Sequence, residues 1–168
     1  MLIIIRGNAC SGKSTVAEKL RTYFKSQKKV AVIHTTIFYW GIVQGDVPEI
    51  ALENTKRILD NYLENGYNVI LEGTLSNKNN KGELYANQFL KVAKKYKVPV
   101  KQFFFKADFC ELKKREKSRK KISLKRLKEF YDKTTETIKK DEIVIDTTGK
   151  SVLSVVREVR GRLRWNIK

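Results

Sequence analysis

A run of nine residues near the start of the chain, Gly7-Asn8-Ala9-Cys10-Ser11-Gly12-Lys13-Ser14-Thr15, restricts what the sequence can fold into more than any other segment. It follows directly on the aliphatic stretch Leu2-Ile3-Ile4-Ile5 and reads G-x-x-x-x-G-K-S/T, the phosphate-binding P-loop pattern. A buried strand, a glycine-rich turn and a helix, in that order, point successive backbone N–H groups into one hollow, where the helix N-terminus also favours negative charge. Nucleotide phosphates fit such a hollow, with Lys13 reaching the β- and γ-phosphate oxygens and the Ser14 hydroxyl ligating Mg²⁺. The flanking sequence agrees. Leu2 to Ile5 suits a strand buried on both faces, and Val16, Leu20 and Tyr23 or Phe24 recur at helical spacing. An ordinary strand-helix turn would account for Gly7 and Gly12 but not for Lys13-Ser14 in register.

The remaining chain alternates apolar runs with amphipathic stretches. Val30 to Ile33 predicts a second strand ending at His34-Thr35-Thr36, with the aromatic cluster Phe38-Tyr39-Trp40 beyond it. Asp46-Val47-Pro48-Glu49 predicts a helix start with Asp46 as N-cap, and that helix stops at Gly66. Val69 to Leu71 forms strand three and delivers Glu72-Gly73-Thr74 to its end. Residues 76–82 are a polar loop, and Leu84 to Tyr96 a helix that Pro99 separates from strand four, Val100 to Phe105. A charged helical stretch spans Asp108 to Lys121, and an amphipathic helix carries Leu124, Leu127, Phe130-Tyr131, Thr134 and Ile138. Strand five, Glu142 to Ile145, ends at Asp146-Thr147-Thr148-Gly149. The last helix buries Val152, Val155-Val156, Val159 and Leu163 and exposes Arg157, Arg160 and Arg164. Five short strands alternating with helices imply a parallel sheet covered on both faces, with chemistry outside the strand carboxyl ends.

At 168 residues the chain reads as one domain, residues 1–168, with no segment long enough to span a membrane and no signal-peptide layout; a cytoplasmic location is expected. Two cysteines without ligand spacing and one histidine make a zinc site unexpected. Charge is the unusual property. Nine basic and seven acidic residues precede Ser76, and 27 basic against 11 acidic residues make up the rest. A lysine-rich solvated surface explains this, and so does a polyanionic partner such as RNA or DNA.

In this order, the P-loop, the acidic end of strand three, the arginine-bearing segment after strand four and the D-T-x-G-like end of strand five make the chain resemble a small P-loop kinase. The pattern is similar to the compact ATP-dependent group that includes chloramphenicol phosphotransferase, zeta-toxin-like kinases and the kinase domain of polynucleotide kinase. The resemblance implies a three-layer α/β fold with a five-stranded parallel sheet in the order 2-3-1-4-5 and a short helical lid at about residues 108–126. It implies ATP and Mg²⁺ as cofactors, with Gly7 to Thr15 on the phosphates, Ser14 and Glu72 on the metal, and Thr148 and Gly149 beside the adenine. Arg115 and Arg119 resemble lid arginines, one helical turn apart and able to neutralise charge on the transferring phosphoryl group, with Arg126 as a third candidate. A solvated face and a local cap are the structural readings of the arginines and of Glu72.

The chain departs from the group just past strand two. Kinases of this group that act on hydroxyls place an aspartate there to accept the substrate proton, and this chain has His34-Thr35-Thr36. His34 can serve as base or be structural, and Glu72 or Asp46 can substitute for the aspartate. A phosphate acceptor, as in nucleoside monophosphate kinases, needs no base. The expected activity is transfer of the γ-phosphoryl group of ATP to a hydroxyl, including a nucleoside or nucleic-acid hydroxyl. A nucleoside monophosphate kinase and a nucleotide-binding module that transfers nothing are the alternatives.

Overall fold

The computed structural model describes residues 1–24, 29–42 and 48–163. Its elements are β1 (Leu2–Gly7), α1 (Lys13–Tyr23), β2 (Val30–His34), α2 (Pro48–Glu64), β3 (Asn68–Gly73), α3 (Tyr85–Lys95), β4 (Val100–Lys106), α4 (Phe109–Arg119), α5 (Leu124–Thr135), β5 (Ile143–Asp146) and α6 (Val152–Leu163). All four strand pairings are parallel and the order is β2-β3-β1-β4-β5. The sheet order implied by the resemblance is the observed one.

β1 is the central strand, and its side chains alternate between two cores because successive residues of a strand face opposite ways. Leu2 and Ile4 pack with Leu59, Leu63, Phe89 and Ala93 of α2 and α3. Ile3 and Ile5 pack with Val16, Leu20, Val156 and Val159 of α1 and α6. A third, smaller cluster joins Cys10 to Ala107, Leu112 and Leu127, seating α4 and α5 over the P-loop. None of the described helices is long and apolar enough to cross a membrane.

Several expectations shift in detail. The charged stretch from Asp108 breaks at Lys120, which adopts a left-handed conformation (φ 50°), so the lid is two helices with a turn between them. Ile138 lies past the end of α5 and, like Leu124, is exposed, because α5 has only a narrow buried stripe carrying Leu127 and Thr134. Val152 is exposed instead of buried, since the inward face of α6 begins at Val155. Phe38-Tyr39-Trp40 forms a π-helical turn, Ile37–Gly41, that buries only Phe38. The Asp46 cap and Arg164 fall outside the described residues.

β1 also carries a charge that aliphatic periodicity does not anticipate. Arg6 is fully buried and ion-paired to Glu142, which sits just before β5 as a buried anchor. The same guanidinium donates to the Thr137 hydroxyl at 3.1 Å and lies 4.9 Å from the centre of the Phe104 ring.

Candidate active site

Close packing shapes the turn between β1 and α1. A Cβ on Gly7 (φ +135°) would lie 2.0 Å from the Phe105 carbonyl oxygen, so the loop can leave the strand only with glycine there. Gly12 (φ +89°) starts α1, and no side chain caps that helix. The first-turn N–H groups of a helix have no partner within it, and with the helix dipole they form an anion seat. Lys13 is buried and donates to the Asn8 carbonyl at 2.6 Å, as does the Ser11 hydroxyl at 2.7 Å. Burial lowers the Lys13 pKa to about 8. An uncapped helix start beside a desolvated lysine fits nucleotide phosphates.

Ser14 and Glu72, the two expected metal ligands, are in contact. The Ser14 hydroxyl donates to Glu72 Oε1 at 3.1 Å, giving a hydroxyl and a carboxylate on one spot. That oxygen set suits Mg²⁺, which is held by one or two protein groups plus substrate phosphates. Among the described residues no group of three or more His, Cys, Asp or Glu is arranged to hold a metal.

His34 is occupied at both ring nitrogens. Nδ1 lies 2.7 Å from Glu72 Oε1, and Nε2 2.7 Å from Glu18 Oε1. The hydrogen bond to Glu72, aided by the one to Glu18, outweighs partial burial and raises the His34 pKa to about 9. The ring is therefore an imidazolium clamped between two carboxylates at neutral pH. Burial opposes ionisation of Glu18, but hydrogen bonds from His34 and Arg21 hold it below the ordinary carboxylate range. Glu18 did not emerge from the sequence, although it stands four residues after Ser14 and so shares its face of α1.

Arg115 and Arg119 both reach the P-loop. Arg115 donates to the Cys10 carbonyl at 3.3 Å and to the Thr147 carbonyl at 2.7 Å, and pairs with Glu111. Arg119 donates to Cys10 Sγ at 3.2 Å. The Cys10 thiol, at a left-handed position (φ 63°), donates to the buried Glu116 at 3.0 Å. Burial and that contact push the Cys10 pKa up to about 11. Glu116 also accepts from the Ile122 N–H at 2.7 Å, tying the turn between α4 and α5 to the loop. On the far side, the Thr148 hydroxyl accepts from the Asp108 N–H at 2.9 Å, and Gly149 is left-handed (φ +64°), so residues 146–149 wrap the start of α4.

Next to Glu72, a cavity of about 190 Å³ opens between the carboxyl ends of β2 and β3 and the face of α5. Hydroxyls from Thr35, Thr36, Thr74, Ser76 and Thr134 line it. Its aromatic wall is Tyr39, Trp40 and Phe130, and its cations are Arg126 and Lys133. Neither His34 nor Glu72 lines it. The Arg126 guanidinium lies over the rings of Trp40 (5.2 Å) and Phe130 (5.4 Å), joining the π-helical turn to α5. Lys133 donates to Asn77 at 2.9 Å. Of the basic C-terminal segment, Arg160 stacks on the Tyr23 ring at 3.2 Å, while Arg164 and Trp165 lie outside the described residues.

Residues 2–141 match the AAA domain family, most of the chain. The chain belongs to the AAA domain family. Similar solved structures extend the likeness of this AAA domain over nearly its full length. A gluconokinase from Sinorhizobium meliloti matches at 14% identity and TM-score 0.64, covering 93% of this chain and 87% of that one. A shikimate kinase from Aquifex aeolicus matches at 20% identity and TM-score 0.59, covering 95% and 94%. A thymidylate kinase from Candida albicans matches at 18% identity and TM-score 0.59, covering 95% and 89%. No curated protein matches the chain. The fold of this AAA domain is that of the small P-loop kinases.

Proposed function

We propose that the protein is an Mg²⁺-dependent kinase that moves the γ-phosphoryl group of ATP to a hydroxyl on a small acceptor. The observation that carries this reading is the adjacency of two differently built sites. An uncapped helix start with a buried lysine lies on one side of the Ser14–Glu72 pair, and a hydroxyl-lined cavity begins two residues past Glu72, at Thr74. The fold's other members named above, a gluconokinase, a shikimate kinase and a thymidylate kinase, support the reaction class and differ in acceptor.

Bound ATP would supply the phosphoryl group, and Mg²⁺, held by Ser14 and Glu72, would supply positive charge against the phosphates. The residues present do the rest. Lys13 turns from the Asn8 carbonyl to the phosphates, and the α1 N–H groups hold them in line. Arg115 and Arg119 approach from α4, where they neutralise charge spreading over the transferring group. In this reading His34 is a positioning residue: as an imidazolium it aims Glu72 at Ser14 and has no free nitrogen with which to accept a proton. Thr148 and Gly149 shape the adenine end.

One observation favours a second reading. Among the described residues no carboxylate or imidazole lines the cavity, which suits an acceptor phosphate because it needs no base. The small cavity, about 190 Å³, weighs against a nucleic-acid acceptor despite the basic C-terminal half. The test is turnover of ATP with panels of polyols, sugar acids and nucleoside monophosphates, wild type against Lys13→Ala. Equal product from both proteins would end the kinase reading, and RNA binding with a steep salt dependence would restore nucleic acid as an acceptor.

A further inference from the structure

Resting on the kinase reading, we infer that the acceptor is a small anion, bound through a phosphate or carboxylate group by Arg126 and Lys133 at the α5 side of the cavity. The cavity's charge inventory carries this. Two cations line it, and no aspartate or glutamate among the described residues does. Neither cation is spent on an ion pair among those residues: Arg126 is held by the faces of Trp40 and Phe130, and Lys133 by the amide oxygen of Asn77. On the donor side, by contrast, Arg115 is paired with Glu111.

Contact with ring faces restrains a guanidinium and leaves its N–H groups available to an oxyanion, which they recognise by paired hydrogen bonds. Lys133 stands two helical turns along the same helix and lines the same cavity, so both charges bear on one bound group. The Ser76, Thr74 and Thr35 hydroxyls can then take the polar groups of the remaining molecule, and the ring wall its apolar face. Size sets the scale. At about 190 Å³ the cavity falls below the roughly 300–1,000 Å³ of sites for drug-sized ligands. The acceptor class is therefore a sugar acid, cyclic acid or small phosphomonoester, instead of a neutral polyol or an antibiotic.

The test is direct anion binding with the donor site filled. In a Trp165→Phe chain, Trp40 is the remaining tryptophan and reports on the stack. With Mg²⁺ and a non-hydrolysable ATP analogue saturating the P-loop, the Trp40 emission is titrated with inorganic phosphate, acetate and glycerol, and the heats are measured in parallel. Saturable binding of an anion but not of glycerol is expected, weakened at least tenfold in Arg126→Gln and in Lys133→Gln and partly retained in Arg126→Lys. Preference for phosphate assigns a phosphomonoester, and preference for acetate a carboxylate. Glycerol binding as tightly as the anions, no saturation by either anion, or unchanged affinity in both glutamine variants overturns the inference. The two readings fail separately. Anion binding without transfer to any anionic acceptor sinks the kinase and leaves the anion site, while transfer confined to neutral acceptors does the reverse.

Discussion

The P-loop side and the cavity side, donor and acceptor halves in the proposed kinase, are built from different materials. On the donor side the backbone does the positioning: Gly7 is pressed on the Phe105 carbonyl, α1 begins without a side-chain cap, and the α4 arginines are fastened to Cys10 and Thr147. On the acceptor side the walls are side chains, and Thr36, Trp40, Arg126 and Lys133 are exposed. A backbone cradle accepts one kind of group and few substitutions. A side-chain wall can be rewritten without disturbing the sheet. In the proposed kinase, nucleotide use and acceptor choice are therefore expected to be separable.

The largest effect that could break this comparison is on catalysis. Lys13→Ala should lower kcat/KM by at least about 100-fold, with the same factor for every acceptor. A factor that varies with the acceptor would couple the halves. Gly7→Ala comes next: its Cβ meets backbone that cannot move and its φ is unsuited to alanine, so denaturant unfolding should show a loss of about 3 kcal/mol or more. A normal midpoint would mean the loop is not seated on β4. Arg119→Ala, at a half-exposed position, should cost about tenfold in kcat without changing the melting temperature. The smallest effect concerns pH. His34 has a folded pKa of about 9 against 6.5. Its contribution to stability is fully present below pH 6.5 and is lost as pH rises through 9. Thermal midpoints should decline across that window, and His34→Gln should flatten the decline; parallel curves for the two proteins would remove the clamp.

The donor half was legible because its signal is contiguous. Nine residues in a row carry the loop, and the aliphatic run before it sets the strand. Five β-rich runs located the strands, and the resemblance supplied their order. Of the acceptor half, the aromatic cluster at Trp40 and Arg126 stood out in the sequence, Arg126 as a lid arginine, but their meeting in one cavity did not, because its members come from distant elements. Trp40, Ser76, Arg126 and Lys133 converge only when the ends of β2 and β3 meet α5. Some misses had a trace. Arg6, a charge at the end of a strand buried on both faces, demanded a partner, but nothing local pointed to Glu142. Glu116 had no trace: in a run of alternating charges it looks like any solvated residue, and only its place beneath Cys10 and Ile122 distinguishes it.

The buried Arg6–Glu142 pair also bears on how the chain comes to be folded. Its partners are 136 residues apart, at the middle of the sheet and near its outer edge. Until Glu142 arrives, packing β1 into the sheet means enclosing a bare cation, and an uncompensated buried charge costs about 3–5 kcal/mol. The nucleotide-binding end of the chain is thus held in suspense through synthesis. A nascent chain long enough to contain the whole P-loop but not Glu142 should fail to retain nucleotide, so the last strand acts as the checkpoint for the first.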